Sequence, residues 1–179
     1  MLLDQAILLS HRIPDDLIKC VGKYTINQEI NGLQEGVWKK SWFNGQLKYE
    51  DYYKEGKPHG IQKGWWENGK LKYEWHWKEG KYHGIVKGWF EDGQLQCEGH
   101  YKEGQDHGIQ KGWYSNGQLR YEWHYKEGKR HGISKGWFKN GRLKYECHYK
   151  EGKRHGIQKR WYDDGELDEE YWKEGERIA

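Results

Sequence analysis

The chain has 179 residues, which by length suits a single domain. Its mean hydropathy of −1.29 and its 34% of hydrophobic residues are typical of disordered chains, but 16% of the residues are aromatic. These rings recur in register, and each can bury roughly 150–250 Å². We therefore expect a folded but thin protein without a thick core, rather than a globular enzyme domain.

Composition also bears on the compartment. The three cysteines, Cys20, Cys97 and Cys147, share no CxxC spacing, so neither a disulfide framework nor a zinc site is predicted. The first residues do not read as a signal peptide, and there is no run of about 20 apolar residues. The expected localisation is intracellular, in the cytoplasm.

Charge is distributed unevenly along the chain, whose net charge is +3. Residues 126–161 hold twelve Lys and Arg against three Glu, whereas residues 162–179 hold two against eight Asp and Glu. A basic segment beside an acidic one indicates either an anionic partner or surfaces that complement each other.

The first 23 residues differ from the rest. Their apolar residues follow helical spacing, and Pro14-Asp15-Asp16 is a favourable helix start. We predict a short N-terminal helical cap over residues 1–23, followed by a β-sheet array over residues 24–179. Such a cap would cover apolar surface at the open end of a repeat array.

From residue 24 onward the sequence repeats with a period of 24 residues. His-Gly recurs at 59–60, 83–84, 107–108, 131–132 and 155–156, and Asn-Gly or Asp-Gly at 44–45, 68–69, 92–93, 116–117, 140–141 and 164–165. Glycines this frequent exclude long helices.

Each unit predicts a β-hairpin. Residues 61–66 and 70–78 are the expected strands, joined by a tight turn at Asn68-Gly69, with residues 79–84 forming a longer turn into the next unit. The result is a mainly β, elongated, single-layer antiparallel meander of about six hairpins and eleven or twelve strands, roughly 50–60 Å long.

The string Tyr73-Glu-Trp-His-Trp-Lys-Glu-Gly-Lys-Tyr-His-Gly84 resembles the MORN repeat, Y-x-G-x-W/Y-x-x-G-x-x-x-G. The longer period is similar to the MORN variant of bacterial antitoxin-like proteins and of large DNA viruses. Residues 13–18 resemble the opening of an F-box, a segment that accompanies some viral arrays. The resemblance implies the hairpin fold and, for a viral protein, a place in the host cytoplasm or the virion.

The histidines form two rows, at 59, 83, 107, 131 and 155 in the expected turns and at 76, 100, 124 and 148 on the strands. Equivalent residues of successive hairpins lie about 10 Å apart, which is too far to share one metal ion. We therefore predict that these histidines pack in the repeat, as the MORN pattern implies for its His-Gly, and that no metal or cofactor is bound.

Aromatic residues form rows that favour two interpretations. They could pack on one another, with Gly64, Gly88, Gly112 and Gly136 making room for rings of adjacent strands, or one row could line a binding face. The candidate interaction face consists of Trp65, Trp66, Trp77, Trp89, Phe90, Tyr101, Trp113, Tyr114, Tyr125 and Trp137.

The basic segment is a candidate anion-binding patch for phospholipid or nucleic acid. Its residues are Arg130, Lys135, Lys139, Arg142, Lys144, Arg154, Lys159 and Arg160. Nucleic acid is the less favoured of the two ligands, because no base-reading motif is present.

No nucleophile elbow, P-loop or unique carboxylate pair is present, so the chain is not expected to be an enzyme or to take a small-molecule substrate. The leading hypothesis is a non-catalytic scaffold that binds a protein partner or a second copy of itself. The alternatives are an anionic-surface binder acting through residues 126–161 and an antitoxin-like partner protein.

Overall fold

The computed structural model describes residues 28–30 and 32–178, so the predicted helical cap lies outside the described residues. Across this range the chain forms fifteen strands and no helix. They are β1 (Gln28–Ile30), β2 (Leu33–Ser41), β3 (Leu47–Lys54), β4 (Lys57–Pro58), β5 (Gly60–Trp65), β6 (Leu71–Lys78), β7 (Lys81–Trp89), β8 (Leu95–Lys102), β9 (Gln105–Trp113), β10 (Leu119–Lys126), β11 (Lys129–Trp137), β12 (Leu143–Lys150), β13 (Lys153–Trp161), β14 (Leu167–Lys173) and β15 (Glu176–Arg177).

These strands make one open antiparallel sheet in chain order, with β4 pairing on β3 ahead of β5. The predicted single-layer meander is confirmed. Sequential pairing follows from the short loops, since a two-residue or five-residue connection can only join antiparallel neighbours.

The two kinds of loop are reversed relative to the prediction. The tight turn is Glu-Gly, not Asn-Gly: Glu79 and Gly80 both have positive φ, +50° and +77°, as a two-residue type I′ turn requires, and β7 resumes at Lys81. Glutamate accepts this conformation at some cost, because left-handed backbone crowds its Cβ.

The Asn-Gly loops are longer and clamp successive repeats together. The Trp66 amide donates to the Lys70 carbonyl at 2.8 Å, so five residues form the loop. Asn68 closes it by accepting from the Lys70 amide at 3.0 Å, and its Nδ2 donates to the Glu91 carbonyl of the next loop at 2.8 Å. Asparagine is therefore used here for its side chain as well as for its turn preference.

Four of the five His-Gly pairs lie in β-bulges inside strands and not in turns, which corrects the predicted longer turn over residues 79–84; His59 lies between β4 and β5. Trp75 pairs with Val86 and Trp77 with Tyr82, so three residues of β7 stand opposite one residue of β6. Gly84 takes the positive φ of +99° within this bulge.

Strand alternation gives the sheet two unlike faces. On the face called here the aromatic face, Tyr73, Trp75 and Trp77 of β6 lie opposite Gly64, Gln62 and Gly60 of β5. The other face, called here the ladder face, carries rows of Ile opposite His, Lys opposite Glu, and Trp opposite Leu. Both faces are open in the described chain, because no second layer packs on either.

In the part of the chain that the structure describes, six ion pairs run across the ladder face, one per hairpin. They are Lys39–Glu50, Lys63–Glu74, Lys87–Glu98, Lys111–Glu122, Lys135–Glu146 and Lys159–Glu169. Each glutamate from Glu50 to Glu146 also faces the lysine of the following hairpin, so the charges alternate along the sheet. Each exposed pair contributes a few tenths of a kcal/mol and opposes slippage of the register.

There is no hydrophobic core among the described residues. The buried side chains are polar and occupy one position of the odd-numbered strands, beneath the aromatic face: Gln62, Gln110, Ser134 and Gln158. The sheet therefore covers its own backbone with rings from neighbouring strands.

Tyrosine rings lying on glycines are the closest of these contacts. A Cβ placed on Gly64, Gly112 or Gly136 would sit 2.2–2.3 Å from the ring of Tyr73, Tyr121 or Tyr145. The packing interpretation of these glycines is confirmed at three positions. At the fourth, Gly88, the neighbour is the Cys97 thiol, 3.0 Å from such a Cβ.

Substitution of Gly112 by alanine is expected to destabilise the fold by about 2 kcal/mol, because the added methyl meets the Tyr121 ring. Gly88→Ala is the matched control and is expected to cost less, since only a thiol faces it. The double variant Gly112→Ala/Tyr121→Cys places alanine opposite cysteine, as Gly88→Ala does opposite Cys97, and should recover part of the loss. Urea denaturation measures all three, and equal costs for Gly112→Ala and Gly88→Ala would contradict the ring-on-glycine account.

Replacement of Glu127 by asparagine is expected to stabilise the fold by about 0.5 kcal/mol, because asparagine accepts the left-handed turn more readily. Glu103→Asn should gain less, since the Glu103 carboxylate lies 3.1 Å from His83 Nδ1. No histidine in the described chain lies within 4.0 Å of the Glu127 carboxylate. Thermal melts compare the two variants, and an equal gain would show that the His83 contact is worth nothing.

Candidate aromatic docking face

Two clusters of rings stand on the aromatic face. In the first, Tyr73 stacks on Trp75 with centroids 4.0 Å apart and planes 18° apart, and Trp77 packs on Tyr82 at 4.0 Å. Tyr82 also contacts the Tyr101 ring at 5.3 Å. The rings hold one another in place, so the cluster offers a rigid apolar surface at low entropic cost to a partner.

The second cluster repeats this geometry two hairpins later. Tyr121 stacks on Trp123, again at 4.0 Å and 18°. The Trp123 indole N–H donates to the Tyr145 hydroxyl at 2.8 Å, and the Arg130 guanidinium lies 4.5 Å from the Trp123 ring centre and 5.3 Å from that of Tyr149. Arg130 is thus held between these rings, in a cation–π arrangement.

Strand β8 lies between these clusters and carries no ring at the matching positions. Cys97 and Gly99 stand where β6 has Tyr73 and Trp75. The residues paired with them on β7 are also small, Gly88 and Val86. A shallow trench, called here the β8 trench, therefore runs along this strand between two stacked aromatic walls.

The ends of the β8 trench differ in chemistry. At one end lie Tyr101 and Asp106, paired across β8 and β9, and Asp106 Oδ1 accepts from Gln110 Nε2 at 2.8 Å. At the other end a surface cavity is lined by residues that include Phe90, Tyr114 and Arg120. The trench thus has a carboxylate at one end and an aromatic and basic border at the other.

Burial raises the pKa of three side chains on this face, Tyr101, Cys97 and Cys147. Burial, with a further contribution from Asp106, raises the pKa of Tyr101 to about 12. Burial also raises the pKa of the Cys97 and Cys147 thiols, so neither is activated as a thiolate nucleophile. The face offers packing and hydrogen bonding, not an activated nucleophile.

Asp51 occupies the Trp75 position of the first hairpin. Burial raises its pKa from 3.8 to about 6, and its Oδ1 atom is buried with no hydrogen-bond partner in the described chain. A carboxylate is therefore held among rings at the start of the aromatic face.

The ten residues predicted to form one interaction face lie in three different places in the structure. Trp77, Tyr101 and Tyr125 lie on the aromatic face, as predicted for one row. The register places Trp65, Trp89, Trp113 and Trp137 on the ladder face, opposite Leu71, Leu95, Leu119 and Leu143. Trp66, Phe90 and Tyr114 begin the Asn-Gly and Asp-Gly loops, where the Trp66 indole donates to the Trp89 carbonyl at 3.1 Å. The ten residues are thus not one surface.

The predicted anion-binding patch is divided as well. Lys135 and Lys159 are paired with Glu146 and Glu169 on the ladder face, at 2.9 and 2.8 Å. Arg130, Arg154 and Arg160 face the aromatic side, where Arg154 Nη1 lies 3.8 Å from Glu170. Lys139, Arg142 and Lys144 lie at the loop end of the hairpins. The eight basic residues are thus not one patch, although Arg130, Arg154 and Arg160 lie together around Cys147.

The histidines contribute to contacts between repeats. His83 Nδ1 lies 3.1 Å from the Glu103 carboxylate and His131 Nδ1 lies 3.3 Å from that of Glu151, each in the next Glu-Gly turn; neither contact has hydrogen-bond geometry, and each becomes an ion pair when the histidine is protonated. Among the described residues, no group of three or more His, Cys, Asp or Glu is placed to hold a metal ion.

Several residues of the site escaped the sequence reasoning. Tyr73, Trp75, Tyr82 and Trp123 make the stacks, yet none was among the candidates. The alternation of Tyr73, Trp75 and Trp77 in the sequence is the signal that could have found them, together with a column-by-column comparison showing the small residues of β8.

This array of hairpins, with an open aromatic face, defines a β-repeat scaffold. A family model described as "MORN repeat variant" matches residues 34–55, 58–79, 82–103, 106–127, 130–151 and 154–174. The chain belongs to this family, whose repeats generally serve as non-catalytic scaffolds for protein or membrane interactions. A search of curated proteins gave no match. No helix of the described residues is long and apolar enough to span a bilayer.

Substitution of Asp51 by asparagine should remove a pH dependence of stability. Since the folded pKa of about 6 exceeds the ordinary 3.8, the native state retains a proton that the unfolded state releases, and stability falls as pH rises through this window. Asp51→Asn is therefore expected to be more stable at neutral pH by about 1 kcal/mol, after discounting for solvent screening. Denaturation curves should converge as the pH falls toward about 4; a constant difference at all pH values would contradict the assignment.

Proposed function

We propose that this chain is a non-catalytic MORN scaffold that binds a protein partner through its aromatic face. The observation that carries the proposal is the pair of stacked clusters, Tyr73–Trp75 and Tyr121–Trp123, on a sheet over which no second layer packs within residues 28–30 and 32–178. Rings of this size on a surface without a covering layer are typical of interaction sites.

The composition of the face supports binding of protein. Trp, Tyr and Arg dominate the energetically important residues of protein interfaces, and Arg130 lies here between Trp123 and Tyr149. The rings are already immobilised by their neighbours, so a partner would not have to order them.

The ladder face is less suited to this role. Its lysines and glutamates already satisfy one another in six pairs. The same pairing removes Lys135 and Lys159 from a phospholipid-binding patch, so the anionic-surface alternative has less support than protein binding. A second copy of this chain remains one form that the protein partner could take.

The test compares affinity capture by variants that preserve the repeat. Trp75→Gly/Trp123→Gly places at both positions the residue that the chain itself has at Gly99. This double variant should lose the partners captured by the wild-type chain from its native source, quantified by mass spectrometry, and should lose any self-association seen in ultracentrifugation.

The matched control is Ile61→Ala/Ile109→Ala, which removes exposed apolar side chains from the ladder face of the same sheet. It should capture the same partners as the wild-type chain. The proposal fails if the tryptophan variant, shown to be folded by circular dichroism, retains every partner, or if the isoleucine variant loses them equally.

A further inference from the structure

Among β6, β8, β10 and β12 the aromatic face varies from strand to strand, and β8 differs most. The position of Gly99 holds Trp75 on β6, Trp123 on β10 and Cys147 on β12. The position of Cys97 holds a tyrosine on each of these three strands. The β8 trench therefore forms because β8 lacks the two large side chains that β6 and β10 carry at these positions.

The flanking rings do not cover the part of the trench at Gly88 and Cys97. The Tyr73 ring lies over Gly64 of β5 and the Tyr121 ring over Gly112 of β9. At Gly88, by contrast, an added Cβ would meet only the Cys97 sulfur and, at 3.8 Å, the Lys72 carbonyl. The floor at Gly88 and Cys97 is thus free of rings, whereas Gly99 is buried beneath the Gln110 side chain.

A charge marks one end of the trench. Asp106 stands where the other repeats have Pro58, Tyr82, Arg130 and Arg154. Its Oδ1 is engaged by Gln110, and no lysine or arginine nitrogen of the described chain lies within 4.0 Å of its carboxylate. An acidic group beside aromatic rings favours a cationic side chain.

We propose that the β8 trench is the specificity site of the scaffold, and that it receives a segment of a protein partner with an apolar side chain over Gly88 and Cys97 and a lysine or arginine against Asp106. This inference rests on the proposed function, because it assigns the partner's chemistry to one part of the aromatic face. The Asp106 carboxylate favours a basic residue of the partner, and the floor left without rings favours an apolar one.

The decisive variant is Gly99→Trp, which fills the trench with the residue that the chain already carries at the same position of β6 and β10. The strand register already places Gln62 opposite Trp75 and Gln110 opposite Trp123, so tryptophan is compatible with a glutamine partner. The Gln110 Oε1 atom, 1.7 Å from an added Cβ, must move, and it is the end of a flexible side chain.

The probe is a phage-displayed library of short linear peptides, selected on the full wild-type chain. Enriched peptides should pair an apolar residue with Lys or Arg, and should bind Gly99→Trp about tenfold or more weakly. Gly99→Cys, the residue of β12, fills the trench partly and should weaken them less. The control Ile109→Trp adds the same ring to the ladder face and should leave binding unchanged.

The role of the Asp106 charge is tested with Asp106→Arg, because arginine stands at the same position in later repeats as Arg130 and Arg154. Selection on this variant should enrich acidic peptides in place of basic ones. The inference is overturned if wild-type selections enrich nothing, if the enriched peptides bind Gly99→Trp as tightly as wild type, or if Asp106→Arg leaves the charge preference unchanged. Peptides whose binding requires Trp75 and Trp123 but is unaffected by Gly99→Trp would rule out the trench as the specificity site. They would still support the aromatic face as the binding surface.

Discussion

The contact on which this structure depends is a tyrosine ring lying on a glycine of the neighbouring strand. A single sheet has no second layer to bury its backbone, so each hairpin must cover the next with its own side chains. Tyr73 on Gly64, Tyr121 on Gly112 and Tyr145 on Gly136 do this, and the buried Gln62, Gln110 and Ser134 lie on the same face. Because these contacts join adjacent strands only, stability accumulates hairpin by hairpin, as in other repeat arrays.

This way of building a sheet leaves surface free for function. The ladder face is neutralised by its own ion pairs, whereas the aromatic face retains rings beyond those the backbone needs. Where a repeat omits its rings, as β8 does at Cys97 and Gly99, the omission costs local packing and opens a trench. A repeat protein can thus acquire a site by losing side chains from one unit, without changing the sheet.

The sequence was enough to predict the meander, because glycine spacing, strand alternation and the period each bear on local geometry. It was not enough to assign the turns. Asn68-Gly69 is a strong hairpin signal, but the asparagine side chain also bonds the next loop, which a two-residue turn would not allow. The alternation of Tyr73, Trp75 and Trp77 places these rings on one side, but the sequence did not divide the ten candidate rings between the two faces, since the bulge between Trp75 and Trp77 and the shift at Gly64 and Trp65 depend on the register. Bulges of this kind depend on pairing between strands, which no single repeat displays.

Hydrogen exchange resolved by mass spectrometry tests most directly whether the sheet is held by contacts between neighbours. In the wild-type chain the central strands β5 to β13 should be protected, with exchange faster toward both ends of the array. Introducing Gly112→Ala should raise exchange most in β9 and β10, less in β8 and β11, and little in β5 and β6. A uniform rise across every strand would contradict the account, because it would show that the array unfolds as one cooperative body.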